Sequence, residues 1–253
     1  MIGILDSGIG GVTVLREIIK KFPVSKFIYY SDSLNNPYGD KEFSFIYSCV
    51  KKAIGYLLDR GCKVVVLACN TASFLCLDKL KEEYPNVLFV ATFPPYQMVD
   101  IKKTLVMATV ATLKSERFLK LYQKYDNHNT VLVPCSGLAD LIEMGNDLEI
   151  DKYLFKHLSK YKGVSNVFLG CTHYPLVKDK IKKVLGDVKF YDGAFFVASE
   201  LEQILKHSKI EYQFAKLTVE FVDSSNDLLK RERFFEYLRK NIWLKDKKLI
   251  LFL

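Results

Sequence analysis

Long apolar runs are missing from this chain. The longest, at 64–69 and 249–253, fall far short of the roughly 20 residues that cross a bilayer. The first residues, Met1-Ile2-Gly3-Ile4-Leu5-Asp6, lack the basic segment, extended apolar core and cleavage site of a secretion signal. A cytoplasmic setting with no membrane partner is therefore expected. Paired cysteines are missing too. Cys49, Cys62, Cys69, Cys76, Cys135 and Cys171 form no Cys-x-x-Cys, and in a reducing compartment they are expected as thiols. Cys62, Cys69 and Cys76 recur at a regular interval. However, Cys62 precedes a predicted strand and Cys76 falls in a predicted helix, so they share no face and no metal site is expected.

A block of one charge is likewise absent. The net charge is +8, yet the lysines are scattered as Lys20-Lys21, Lys51-Lys52, Lys102-Lys103, Lys182-Lys183 and a group at 245–248. None joins an aromatic RNA-binding signature, so nucleic acid is not an expected partner. These lysines read as solvated helix faces, with a modest pull on an anionic substrate as a secondary role. No lysine stands in a Schiff-base setting, so pyridoxal phosphate is not indicated and no cofactor is expected. No low-complexity linker interrupts the chain.

What is present is an ordinary globular composition, 49% apolar and 26% charged, over 253 residues. That length suits one large domain or two of roughly 100–150 residues. Strand-like segments at 1–5, 26–30, 64–68 and 87–91 alternate with helical periodicity at 12–21, 43–60 and 72–84. A second set follows, with strands at 104–108, 130–134, 164–169 and 188–191 and helices at 115–125, 138–144, 152–161, 176–185 and 194–207. A tail strand at 212–221 and a helix at 228–238 complete the chain. The alternation predicts an α/β fold with parallel, helix-covered sheets. Pro94-Pro95 is the candidate hinge, and His207-Ser208 a candidate return crossing.

Two cysteines stand in matching surroundings. Cys69 ends Val64-Val65-Val66-Leu67-Ala68-Cys69-Asn70-Thr71, and Cys171 ends Val167-Phe168-Leu169-Gly170-Cys171-Thr172-His173. Each is an apolar run, a small residue, a thiol and short polar groups. A parallel strand that ends this way presents its thiol at the carboxyl edge of a sheet, where ligands bind in open α/β folds. Two such edges, facing each other, would place a thiol on either side of one small molecule. Helix N-termini after both cysteines favour a thiolate. His173 is placed to exchange a proton with a neighbouring thiol. Asn70-Thr71 and Thr172 suit the ammonium and carboxylate groups of an amino acid. The turn Asp6-Ser7-Gly8-Ile9-Gly10-Gly11 brings backbone close to a ligand ahead of a helix N-terminus. It is a poor dinucleotide fingerprint, because Thr13 fills the third glycine position and Asp6 would repel a pyrophosphate. An Asp/Ser helix cap is the alternative reading.

These motifs together resemble the bacterial glutamate racemases of the aspartate/glutamate racemase superfamily. The resemblance rests on Asp6-Ser7-Gly8-x-Gly10-Gly11, Pro37-Tyr38-Gly39, Cys69-Asn70-Thr71-Ala72 and Gly170-Cys171-Thr172-His173-Tyr174-Pro175, in that order. It implies two similar α/β domains with mainly parallel sheets, related by pseudo-symmetry, with the active site in the inter-domain cleft. The N-terminal domain would take 1–93 plus 208–253, and the second 94–207. It implies cofactor-independent interconversion of L- and D-glutamate for peptidoglycan synthesis, often by a homodimer. By the same resemblance Cys69 deprotonates D-glutamate and Cys171 L-glutamate. Asp6 and His173 match auxiliary catalytic residues, and Glu143 a third, although residue by residue Glu143 reads as an exposed helical glutamate. Ser7, Pro37, Tyr38, Gly39, Asn70, Thr71, Thr112 and Thr172 match substrate contacts, beside Asp6, both cysteines and His173. Two departures stand out: Pro94-Pro95-Tyr96 is bulkier than the family's inter-domain segment, and Asp192-Gly193 replaces a common Asp-Ser. The rival enzyme is a related racemase acting on aspartate. A non-enzymatic binding protein is the rival of another class.

Overall fold

Alternating apolar side chains build two parallel sheets. A computed structural model describes residues 1–23, 25–98, 102–126, 128–208, 216–240 and 250–252. Its strands are β1 (Ile2–Asp6), β2 (Lys26–Ser31), β3 (Val64–Leu67), β4 (Leu88–Ala91), β5 (Thr104–Ala108), β6 (Thr130–Pro134), β7 (Asn166–Gly170), β8 (Lys189–Tyr191), β9 (Thr218–Asp223) and β10 (Ile250–Phe252). Its helices are α1 (Val12–Lys21), α2 (Phe43–Asp59), α3 (Asn70–Glu83), α4 (Val110–Lys114), α5 (Glu116–Tyr125), α6 (Leu138–Met144), α7 (Asp147–Leu158), α8 (Lys178–Leu185), α9 (Ala194–His207) and α10 (Leu228–Arg239). The first sheet is six-stranded in the order β10-β9-β2-β1-β3-β4, and the second four-stranded in the order β6-β5-β7-β8. Every pairing is parallel. No described helix is long and apolar enough to cross a membrane.

The period of two along each strand sends its side chains to opposite layers. Ile2, Ile4, Val64 and Val66 join α1, α9 and α10 on one face of the first sheet. Leu5, Val65 and Leu67 join α2 and α3 on the other. In the second sheet Leu105, Met107, Val167 and Leu169 pack under α6, α7 and α8. Val106 and Phe168 meet Tyr96 and Phe118 behind them. Both sheets are therefore covered on both faces, as all-parallel sheets require.

The strand order β2-β1-β3-β4 recurs as β6-β5-β7-β8. In each sheet the order reverses at one central strand, which opens a crevice at the carboxyl edge beside it. Those crevices lie between β1 and β3, and between β5 and β7.

Several boundaries move for identifiable reasons. α3 starts at Asn70 because the Cys69 carbonyl already accepts from Ser73 N at 2.9 Å. α7 begins at Asp147, earlier than its apolar spacing indicates, because Asn146 caps it by accepting from Glu149 N at 3.2 Å. α4 is a single unexpected turn, capped by Thr109 accepting from Thr112 N at 3.2 Å. β9 ends at Asp223, and residues 212–215 of the predicted tail strand lie outside the described residues. β10, which pairs with β9, was not expected.

The return crossing is also displaced from His207-Ser208. Ala194, Val197, Ala198 and Leu201 of α9 belong to the apolar layer of the first sheet. The chain thus re-enters that layer at Gly193. A Cβ on Gly193 would lie 2.7 Å from the Phe93 carbonyl oxygen, so the outgoing and returning segments touch there. Tyr96, beyond the prolines, is buried and stacks on Phe168 at 5.5 Å.

The tail is part of the core. Phe234 of α10 is fully buried, 4.3 Å from the Phe221 ring and 4.5 Å from the Tyr29 ring. Phe234→Ala should cost about 3–5 kcal/mol, the usual price of an aromatic cavity, when measured by urea unfolding. A change below about 1 kcal/mol would show that the tail does not stabilise the first sheet.

Candidate active site

Asp6, Ser7, Cys69, Cys171, Thr172 and His173 come from the carboxyl ends of strands or the turns after them, Asn70 and Thr71 open α3, and Thr112 and Glu143 lie in α4 and α6. Asp6 ends β1 and Ser7 follows it. Cys69 is two residues past β3, and Cys171 directly follows β7. Hydrogen bonds between the two edges show that they face each other. The Thr172 hydroxyl donates to Asp6 Oδ2 at 3.1 Å. The Thr13 hydroxyl lies 3.3 Å from the Thr172 carbonyl oxygen. Ile9 N donates to Glu143 Oε1 at 2.7 Å. The Thr71 hydroxyl lies 3.1 Å from that of Thr109 and 3.3 Å from that of Thr112.

Each thiol has its own polar neighbour. Cys69 Sγ donates to Ser7 Oγ at 3.6 Å. Cys171 Sγ lies 3.6 Å from His173 Nδ1. His173 Nε2 in turn meets Glu143 Oε1 at 2.5 Å. Glu143 is not the exposed glutamate that its helix position indicated. It is 3% exposed, and its carboxylate ties β1's turn to His173. That closeness requires glycine at position 8, where a Cβ would lie 2.0 Å from Glu143 Oε1.

Burial sets the protonation of this cluster. It pushes the Asp6 carboxyl up to about 6, against the opposing pull of charged His173, Gly8 N–H and the Thr172 hydroxyl. It pushes the Cys69 thiol up to about 12; the Asp6 charge adds to this, the Ala72 N–H and Ser7 oppose it, and charge on Cys171 raises it further. Burial works against a charged His173, yet its bonds to Cys171 and Glu143 outweigh that and hold it well above the usual histidine range. A cationic imidazolium bonded to a carboxylate is the consistent state of that pair.

The remaining predicted residues line the same region. Tyr38 and Gly39 form a short turn after Pro37, and the Tyr38 hydroxyl donates to Asp32 Oδ2 at 2.6 Å. A Cβ on Gly39 would lie 2.5 Å from Thr109 Cβ, so this turn of the first half rests on α4 of the second. Thr112 is fully buried beside Thr71. Asn70 differs: its amide donates to the Thr92 carbonyl at 3.4 Å, toward the crossing segment.

Three contributors escaped the sequence reading. Thr109 occupies the place after β5 that Ser7 occupies after β1, so aligning the repeat strand by strand would reveal it. Asp32, at the edge of β2, also accepts from the Asn35 amide at 3.0 Å and fixes Tyr38. Tyr29 reaches across to donate to the Gly8 carbonyl at 2.7 Å. Only the spacing along β2 marks it, and that spacing reads equally as core. The helix-cap reading of Asp6-Ser7 does not hold, since α1 begins at Val12 with Gly11 as its N-cap and no side-chain cap bond.

The raised Asp6 carboxyl has a signed consequence. The folded protein keeps a proton there that the unfolded chain releases from its ordinary value of 3.8. The associated stability is complete below that value and is lost as pH rises through about 6, roughly 3 kcal/mol in all. Asp6→Asn should therefore gain stability relative to the parent between about pH 4 and pH 7 in urea unfolding. Parallel stability profiles for the two proteins would contradict this.

No protein-family model matches the chain. It is 37% identical over 225 residues to a glutamate racemase of Clostridium perfringens, covering 85% of this chain and 86% of the relative. It is 36% identical over 243 residues to the glutamate racemase of Clostridium novyi, covering 90% and 94%. Its fold superposes on the crystal structure of glutamate racemase from Francisella tularensis in complex with D-glutamate. The TM-score there is 0.80 at 27% identity, with 100% of this chain and 96% of that one covered. With repeated parallel sheets, two thiols at matching strand ends and relatives this similar over most of its length, the chain belongs to the glutamate racemase family of isomerases.

Proposed function

We propose that this protein interconverts L- and D-glutamate by proton transfer at the α-carbon, with Cys69 and Cys171 as the two bases and no cofactor. The D-glutamate serves peptidoglycan synthesis. One observation carries the reading: both thiols stand buried just past equivalent strands of two facing sheets, each with its own polar partner, beside a hydrogen bond that joins the two edges.

In the direction from L-glutamate, the Cys171 thiolate takes the α-proton. The electron pair left on carbon is spread into the adjacent carboxylate, whose growing charge needs fixed hydrogen-bond donors. Ser7 and Thr71 supply such donors and Thr112 supports Thr71, while the Asn70 amide and the Thr172 hydroxyl, given to the Thr92 carbonyl and to Asp6, brace the wall around them. The Cys69 thiol then delivers its proton to the opposite face and is left as thiolate. In the reverse direction the thiols exchange roles, so the pair titrates as a coupled system. His173 holds and returns the Cys171 proton, with Glu143 fixing the imidazole. Asp6, titrating near neutrality, serves as the acidic partner on the Cys69 side.

Cys69 at about 12 is protonated in the free protein, which suits its role as the acid toward L-glutamate. Thiolate formation there draws on the cationic ammonium of bound D-glutamate, which favours the charged form. Pro37, Tyr38 and Gly39 wall the site. Two units, 1–93 with 193–252 and 94–192, close around the substrate and exclude water, which strengthens each polar contact.

The test is a circular-dichroism assay of each enantiomer in deuterated water. Product carrying solvent deuterium at the α-carbon is expected. Conversion without it would overturn the scheme. Cys69→Ala and Cys171→Ala should each lower kcat in both directions by about a hundredfold to ten-thousandfold, the span for a positioned acid–base group. Near-normal turnover by either variant would exclude the paired thiols.

A further inference from the structure

The C-terminal end of α6 carries Glu143 and is held by a residue of the opposite half. Gly145 N and Asn146 N close the helix on the carbonyls of Ile142 and Leu141, at 3.0 and 3.2 Å. Helix ends leave carbonyls that need an outside donor. The Arg233 guanidinium supplies one, donating through Nη1 to the Glu143 carbonyl. It also lies over Gly145, where a Cβ would come within 2.9 Å of Arg233 Cζ. A cation at this end of a helix is favoured by the helix dipole.

Arg233 itself is anchored elsewhere. It sits on α10, whose Phe234, Phe235 and Leu238 are buried in the layer of the first sheet. A cavity of about 410 Å³ opens between α6 and the start of α10, lined in part by Asp140, Glu143, Met144, Lys230 and Arg233. The guanidinium therefore bridges an open space to reach the backbone of Glu143, whose carboxylate holds His173.

We propose that Arg233 is a positioning residue for proton transfer at Cys171, acting through Glu143 and His173. The inference rests on the racemase reading above. It gives the tail helix a part in the chemistry beyond filling the core. When the halves come together, Arg233 sets the end of α6, Glu143 sets the imidazole, and the imidazole meets Cys171 in register.

The test is Arg233→Met, with Arg233→Lys as the variant that keeps a cation if Met impairs folding. Steady-state rates are measured from both enantiomers, with and without α-deuterium. The enantiomers have equal free energy, so kcat/KM must fall by one factor in both directions. With Arg233→Met that factor should be about tenfold, the scale of one hydrogen bond to a charged group, and carried by kcat with KM little changed. Arg233→Lys should recover part of it.

The isotope effects separate positioning from general damage. Slower transfer on the Cys171 side makes it limiting. The substrate isotope effect should then rise for L-glutamate, whose α-proton Cys171 removes, and fall for D-glutamate, whose α-proton Cys69 removes. Unchanged kcat would overturn the proposal. So would a loss carried by KM with both isotope effects moving alike, the mark of a merely structural role. If the unaltered protein racemises neither enantiomer, the functional reading fails and not this inference alone.

Discussion

Charge buried between two sheets is the constraint that the rest of the structure serves. Asp6, Glu143 and His173 are exposed by 0%, 3% and 1%. A buried ion deprived of its partner costs several kcal/mol, so these groups are tolerable only together. Their partners come from both halves of the chain. Glu143 of the second half accepts from Ile9 N of the first, and Thr172 of the second donates to Asp6 of the first. Each half thus leaves part of its buried polar set to be met by the other. The same desolvation that makes the network expensive strengthens each contact within it.

This constraint explains the close packing of the turn after β1. Backbone has to pass directly under a carboxylate, which leaves no room for a side chain at Gly8. It also explains why the thiols stand in unlike settings despite equivalent topology. Cys69 faces a serine and the field of Asp6, whereas Cys171 faces an imidazole held by Glu143. A repeated scaffold thus presents two different environments to the two faces of one carbon. The asymmetry resides in the side chains beside each thiol.

Much of this was legible in the sequence. Parallel strands and their helices follow from apolar periodicity, and the matched contexts of Cys69 and Cys171 reflect a repeated strand order. What escaped depends on atoms brought together over long chain separations. Glu143 was reached only through the family resemblance, and its own helix also allows an exposed side chain, because the partner that buries it, Ile9, lies far away in sequence. α9 reads as part of the second half, because its apolar face says nothing of which sheet it will cover. α4 was missed since one turn is too short to show periodicity; only its cap, Thr109, marks it. Among the candidate site residues, the strand-edge ones were the most readable, since a strand end announces both its position and its direction. Those acting from helices or from the tail, such as Arg233, were the least.

Underlying the proton transfer at Cys171 is His173 as a buried cation held by Glu143. Nitrogen-15 NMR of the imidazole measures this directly, with a His173→Gln variant to assign its signals among the four histidines. His173 is expected to stay doubly protonated well above the ordinary histidine value of 6.5, and Glu143→Gln to bring the transition down. A His173 that titrates at the ordinary value in the intact protein, or one indifferent to Glu143→Gln, would contradict it.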